Sequence, residues 1–218
     1  MHIPDGLLPA SVCIGGYALT GGATWYSLRQ INRRSNPTED IPKAALLTAA
    51  FFVASSIHIP IPPASVHLVL NGLLGVVLGY YAFPAILIGL FFQAVMFGHG
   101  GLTTLGVNAA MMGIPALLSS YLFCLHHHFH RTKTSQSNRW VILFAFLAGA
   151  IGLGLSTLIF MSLIITTIPS GFDASTEQMA LYGLTIAHFP LMILEGVFTA
   201  MLVLFLRKVK PELLRGES

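Results

Sequence analysis

Long apolar runs follow one another along this chain, and very little charge interrupts them. The runs are Leu7–Leu28, Ala44–Ile57, Val66–Phe83, Pro84–Phe97, Leu105–Leu125, Trp140–Ile168 and Met179–Leu206. A helix that crosses a bilayer needs about 20 apolar residues, and most of these runs approach or exceed that length. Only 9% of the residues are charged, 55% are hydrophobic, and the mean hydropathy is +0.77. A soluble domain carries about 25% charge, so this chain has too little to cover a surface facing water. Disorder is excluded too, because it requires low hydrophobicity and high charge. The 218 residues are therefore read as one all-α integral membrane domain with seven transmembrane helices. The second and fourth runs are short, so they start in the headgroups or pack inside the bundle. Pro84 predicts a tight break between the third and fourth.

The eleven Lys and Arg sort by side. Arg29, Arg33, Arg34 and Lys43 bracket the first connection. Arg131, Lys133 and Arg139 lie between runs five and six, and Arg207, Lys208, Lys210 and Arg215 follow run seven. With seven spans these segments all face one side. The opposite side holds the N-terminus, the Ile59–Ser65 and Gly98–Thr104 turns and the Pro169–Gln178 loop, with no Lys or Arg. The positive-inside rule then puts the N-terminus outside and the C-terminus in the cytoplasm. The basic pI near 9.0 is thus a topology signal and not a nucleic-acid signal. Cys13 and Cys124 lie inside apolar runs and offer no disulfide framework. The first basic residue is Arg29, so no positive stretch of a cleavable signal precedes the first run. The opening Met1-His2-Ile3-Pro4-Asp5-Gly6 is expected to survive in the mature chain.

That opening is chemically pointed. A free Met1 amine followed by His2 makes a tridentate chelator of amine nitrogen, deprotonated amide nitrogen and imidazole Nδ1. Flat nitrogen coordination suits Ni(II) or Cu(II), with Co(II) also able to bind, whereas Ca and Mg want oxygen ligands and Zn a tetrahedral site. One in-plane position stays open, and His67 is the best candidate to fill it. It is expected to begin the third span on the outer side, with Asn71 one turn below as a partner that orients an imidazole. Five of the nine histidines, His2, His58, His67, His99 and His188, fall at or near this outer side. His126, His127, His128 and His130 belong to the cytoplasmic side and read as a solvated loop. Pro4, Asp5 and Gly6 turn the chain so that its terminus can fold back.

Polar groups inside a membrane are functional-site candidates, here Gln93, Asn108, His188 and Glu195. Glu195 is the one acid in the middle of an apolar run. It can balance metal charge, carry a proton, or pair with His188 two turns away. The Gly98-His99-Gly100-Gly101 turn is too short to cradle phosphate and is expected to gate a site or pack over it. Small residues mark close helix contacts: Gly72/Gly75/Gly79, Ala148/Gly152/Ser156 and Ala45/Ala49. No Walker A, His-Glu-x-x-His or Gly-x-Ser-x-Gly motif occurs.

Three blocks, in order, resemble the CbiM/NikM proteins, the substrate-specific components of energy-coupling factor (ECF) transporters for cobalt and nickel. They are Met1-His2-Ile3-Pro4-Asp5-Gly6, Phe92-Gln93-Ala94 with Gly98 to Gly106 and Asn108-Ala109, and His188-Phe189-Pro190 with Glu195-Gly196. The resemblance implies a seven-helix bundle with residues 1–6 tucked into a metal pocket. It also implies square-planar coordination of Ni(II) or Co(II) by the Met1 amine, the His2 amide and ring, and His67. The implied location is the inner (plasma) membrane. Its implied partners are a membrane coupling protein, met at faces such as Ala45/Ala49, and cytoplasmic ABC ATPases, since no ATP site lies in this chain. Some members carry a fused small subunit; here either a separate chain supplies it or the system works without one. The metal-loaded pocket would include Asn71, His99, Asn108, His188 and Glu195. The rival readings are an intramembrane metalloenzyme with Glu195 as base and a carrier that works alone.

Overall fold

A computed structural model describes residues 2–61, 64–126, 138–167 and 174–214. Its helices are α1 (Ala10–Asn32), α2 (Ile41–Ser56), α3 (Asn71–Leu78), α4 (Ala82–Phe97), α5 (Leu105–Cys124), α6 (Asn138–Thr167) and α7 (Ala174–Val209). A hairpin of β1 (His58–Ile61) and β2 (Ala64–His67) joins α2 to α3. Among the described residues, four helical stretches are long and apolar enough to cross a membrane: Asn71–Phe97, Leu105–Cys124, Arg139–Thr167 and Ile186–Val209. Helix α2 is apolar but shorter.

Two expectations need correction. The third helix does not begin at Val66: residues 64–67 are strand, and the helix starts only at Asn71. Leu70 sets the boundary by adopting a left-handed conformation, φ 54°, which a helix cannot contain. The break between the third and fourth helices is also not at Pro84. It falls at the 3-10 turn Gly79–Tyr81, where Gly79 has φ 60° and ψ −121°, a combination open to glycine and strained for other residues. Pro84 instead sits in the first turn of α4, where its missing N–H has no helical partner to lose.

The outer surface is apolar, and the interior combines an apolar core with buried polar groups. Large apolar side chains such as Ile14, Trp25, Val53, Leu158, Ile186, Phe189 and Met201 point outward. Polar groups, among them His67, Asn71, Gln93, Asn108 and Glu195, lie inside. Lipid imposes this arrangement, because it solvates apolar surface and leaves every inward polar group to be satisfied by protein.

Helix α5 is the hub and packs against α1, α3, α4 and α6. All eight residues of α3 are buried. It fits because its small residues meet small residues or bare backbone. A Cβ on Gly72 would strike the Ala148 carbonyl, and one on Gly75 would strike the Ala116 carbonyl. Asn71 then knots the contact. Its amide donates to the Met112 carbonyl (3.2 Å), the Gly152 carbonyl (3.0 Å) and Ser156 Oγ (2.7 Å). Its Oδ1 accepts the Gly72 N–H at 2.9 Å. The sequence suggested an imidazole-orienting role for this residue, but Asn71 ties α3 to α5 and α6.

Candidate metal centre

The chain's first residues thread into one end of the bundle. Ile3 is fully buried, which leaves its peptide groups without water. Asn108 on α5 satisfies both of them: Oδ1 accepts the Ile3 N–H and Nδ2 donates to the Ile3 carbonyl, each at 3.0 Å. Thr104 Oγ1 adds a second donor to that carbonyl at 2.6 Å. A side-chain amide that reads both faces of one residue mimics a strand partner and fixes the segment's depth.

Asp5 fixes the segment's direction. Its carboxylate accepts the N–H groups of Leu102 (3.2 Å) and Thr103 (2.9 Å) and the Thr103 hydroxyl (2.5 Å). The Thr103 hydroxyl leads these partners in holding the Asp5 carboxyl below its ordinary value, against the opposing pull of desolvation. The Gly98–Thr104 turn can approach this closely because it lacks side chains where it matters. A Cβ on Gly101 would overlap the Asp5 carboxylate, and one on Gly100, at φ 78°, would press on Asn108 and His2. The turn therefore packs over the N-terminal segment.

Three imidazoles meet below it. The His2 ring centre lies 4.9 Å from that of His67 and 5.1 Å from that of His99, and the His67 and His99 centres are 6.4 Å apart. Each comes from a different place in the chain: the N-terminal segment, the end of β2, and the turn after α4. The hairpin register pairs His58 with His67 across the two strands, so β1 holds the backbone that carries His67. The proximity of His99 also shows that Asn71–Phe97 leaves this end of the bundle and returns to it.

Gln93, on α4, faces His2: its Oε1 lies 2.9 Å from His2 Nε2. Glu195, on α7, is buried beneath the His67 turn. It accepts the N–H of Val69 (2.5 Å) and of Leu70 (3.1 Å). His188 is buried one stretch earlier on the same helix. Among the described residues no three His, Cys, Asp or Glu side chains converge to hold an ion by themselves.

The remaining sequence candidates fall elsewhere. Met1, His127, His128 and His130 lie outside the described residues, as do Arg131, Lys133 and residues 169–173 of the Pro169–Gln178 loop. His126 is described, and it is not solvated. It is 2% exposed and packs on the Phe123 ring, with Nδ1 2.5 Å from the Phe123 carbonyl. Ala45 and Ala49 line an apolar groove of about 500 Å³ between α2 and α4, with Phe52, Ile88 and Phe92. Sequence reasoning missed the hairpin, the Asp5 clasp and the Thr104 bond. The Asp5-Gly6 pair in the opening block was the available signal for the clasp.

The family described as "Cobalt uptake substrate-specific transmembrane region", CbiM, matches residues 2–213. The chain belongs to the CbiM family. It is 32% identical to the cobalt transport protein CbiM of Sorangium cellulosum, over 98% of this chain and 94% of that one. It is likewise 32% identical to the fused nickel transport protein NikMN of Rhodobacter capsulatus, over 98% of this chain and 64% of that protein. A crystal structure of a truncated transition metal transporter shares the fold, with a TM-score of 0.77 at 23% identity over 95% of this chain and 99% of the other. CbiM proteins are transport proteins of the cobalt and nickel uptake systems, so this family member is not an enzyme, and the metalloenzyme reading falls. Its apolar helices make it a multi-pass membrane protein.

Proposed function

We propose that this CbiM-family protein is the metal-capturing component of an ECF-type uptake system for Ni(II) or Co(II). It spans the inner (plasma) membrane seven times, with its N-terminus outside and its C-terminus in the cytoplasm. The ion, which is the cargo, binds at the outer face to the Met1 amine, the His2 amide nitrogen, His2 Nδ1 and His67. His99, Asn108, His188 and Glu195 surround it. Ni(II) ranks ahead of Co(II), because a flat four-nitrogen field suits its electron count.

One observation carries the reading: the His2 and His67 rings lie 4.9 Å apart although a whole hairpin and helix pair separate them in sequence. An imidazole ligand sits with its ring centre roughly 3 Å from the ion, given a metal–nitrogen bond of about 2 Å. Two imidazoles at adjacent corners of a square then have centres roughly 4.5 Å apart. In the tridentate chelate the amide nitrogen is central, so the fourth ligand is adjacent to the His2 ring, and the observed spacing is close to what that requires.

The chain carries no Walker A motif, so the proposed energy source is a pair of cytoplasmic ABC ATPases. They act through a membrane coupling protein that docks on the Ala45/Ala49 face. Release requires the N-terminal segment to leave His67. A disulfide between Asp5→Cys and Thr103→Cys is expected to preserve metal binding and stop transport. Uptake of Ni(II) and Co(II) in cells deficient in their own transporters tests the whole reading. Uptake should need both this chain and the ATPases. Uptake by this chain alone would establish the stand-alone carrier instead.

A further inference from the structure

The two imidazoles at the centre of the site have different nitrogens engaged, and separate hydrogen-bond chains engage them. Gln93 Oε1, which can only accept, faces His2 Nε2 at 2.9 Å. His2 Nε2 must therefore carry the proton, which makes Nδ1 the basic nitrogen of that ring. The orientation of Gln93 is itself determined. Its Nε2 donates to the Phe52 carbonyl (3.3 Å) and to Ser55 Oγ. Ser55 can accept because its own proton goes to the Phe51 carbonyl at 2.5 Å. Carbonyl acceptors on that side exclude the flipped amide. Both Gln93 and Ser55 are 1% exposed, so water does not compete.

His67 is held the opposite way. Its Nδ1 lies 3.2 Å from the Leu68 carbonyl, again an acceptor only, so Nδ1 carries the proton and Nε2 is basic. The same Leu68–Val69 peptide presents its N–H to Glu195 Oε1 at 2.5 Å. Glu195 also accepts the Leu70 N–H, at 3.1 Å to each oxygen. The sequence of contacts runs carboxylate, peptide N–H, peptide C=O, imidazole N–H. It is the carboxylate–histidine pairing of metal sites with one peptide group inserted. The peptide is polarised at both ends, and the left-handed Leu70 turn is held in place by the same carboxylate.

We propose that Gln93 and Glu195 are positioning residues that lock opposite tautomers before metal arrives, His2 offering Nδ1 and His67 offering Nε2. The inference rests on the metal-site reading above and adds what prepares the ligands. Only Nδ1 of His2 can close the chelate ring with its own amide nitrogen, so the wrong tautomer would leave that ring unmade. Glu195 acts through a peptide, so its effect is on the geometry and basicity of His67 and involves no contact with the ion.

The test is 15N NMR of the ring nitrogens in metal-free, untagged, full-length protein in detergent or nanodiscs, beside Ni(II) titration. Wild type should show His2 protonated at Nε2 and His67 at Nδ1. Either ring in the reverse tautomer would overturn the proposal without any variant. Gln93→Leu should mix the His2 tautomers and weaken Ni(II) binding by about 10–100-fold, while leaving His67 unchanged. Gln93→Glu, which keeps an acceptor, should restore the His2 tautomer. Glu195→Gln, which keeps the shape and one acceptor, should shift the His67 signals and not those of His2. Ring shifts indifferent to all three variants, with Ni(II) still bound, would overturn the lock and spare the metal site. Rings that respond to the variants but not to Ni(II) would overturn the metal site, and with it the purpose assigned to the lock.

Discussion

The two ends of the bundle each pin a terminus, and they do it with different chemistry. At the histidine end the N-terminal segment is held by Asn108, Thr104 and the turn that clasps Asp5, and no Lys or Arg takes part. Helix α1 then runs about 34 Å to the other end. There Asp40 pairs with Arg34 (2.7 Å) and Lys43 (2.8 Å), and Arg34 lies over the Tyr81 ring. Lys43 also donates to the Leu213 carbonyl at 3.2 Å, and Leu214 is buried beside it. The contrast separates two tasks. An end proposed to capture a divalent cation is better without fixed positive charge, and its bonds must be directional enough to set ligand geometry. The other end only has to hold a tail at a charged, wet boundary.

Breaking the histidine end should have the largest effect. His67→Ala and His2→Ala each remove a proposed ligand. Titration should show Ni(II) affinity falling by more than the roughly 100-fold that an outer partner costs. Asn108→Ala comes next. It leaves the N–H of buried Ile3 unpaired, at about 1–3 kcal/mol, while Thr104 still donates to the Ile3 carbonyl. Protease or exchange protection of residues 2–6 should fall, and Ni(II) should bind at least about tenfold more weakly.

Acid sharpens the comparison. The Asp5 carboxyl is held below its ordinary value of 3.8. Its clasp is therefore complete above that value and is lost only as pH falls through the lower, folded value. Affinity should still weaken between about pH 7 and 5, because protons compete for imidazole and amine nitrogen. Asp5→Asn should leave the slope of affinity against pH unchanged in that window. A slope that changed would make the clasp part of the proton competition.

The smallest effect is expected at the charged end. Lys43→Ala removes one partly exposed ion pair and one tail contact, about 1 kcal/mol or less. It should loosen the C-terminal segment slightly in thermal unfolding and leave Ni(II) affinity within twofold. A loss of affinity comparable to that of Asn108→Ala would mean the two ends are coupled.

Much of this was legible in the sequence, because lipid leaves few ways to hide a peptide. The apolar runs match α1, α2 and α4 to α7 to within a few residues, and the lone intramembrane acid and amides all proved buried and bonded. The region from Ile57 to Tyr81 was less legible. A β-branched, proline-containing stretch reads alike as a span's start or as a hairpin, and a left-handed Leu70 has no sequence signature. The expected face shared by His67 and Asn71 depended on a helix that is not there. The partners of Gln93 and Glu195 were also hidden, since each bond joins residues more than 35 positions apart. His126 was misjudged because its histidine-rich surroundings suggested water.

Calorimetry of the native, untagged protein beside the same chain with one Gly ahead of Met1 tests the central claim most directly. Tight one-to-one binding of Ni(II) or Co(II) that is lost on extension is the expected result, because the added residue moves the amine away from the His2 ring. Equal binding by the two proteins would contradict it and would move the site to the His67 and His99 side chains alone.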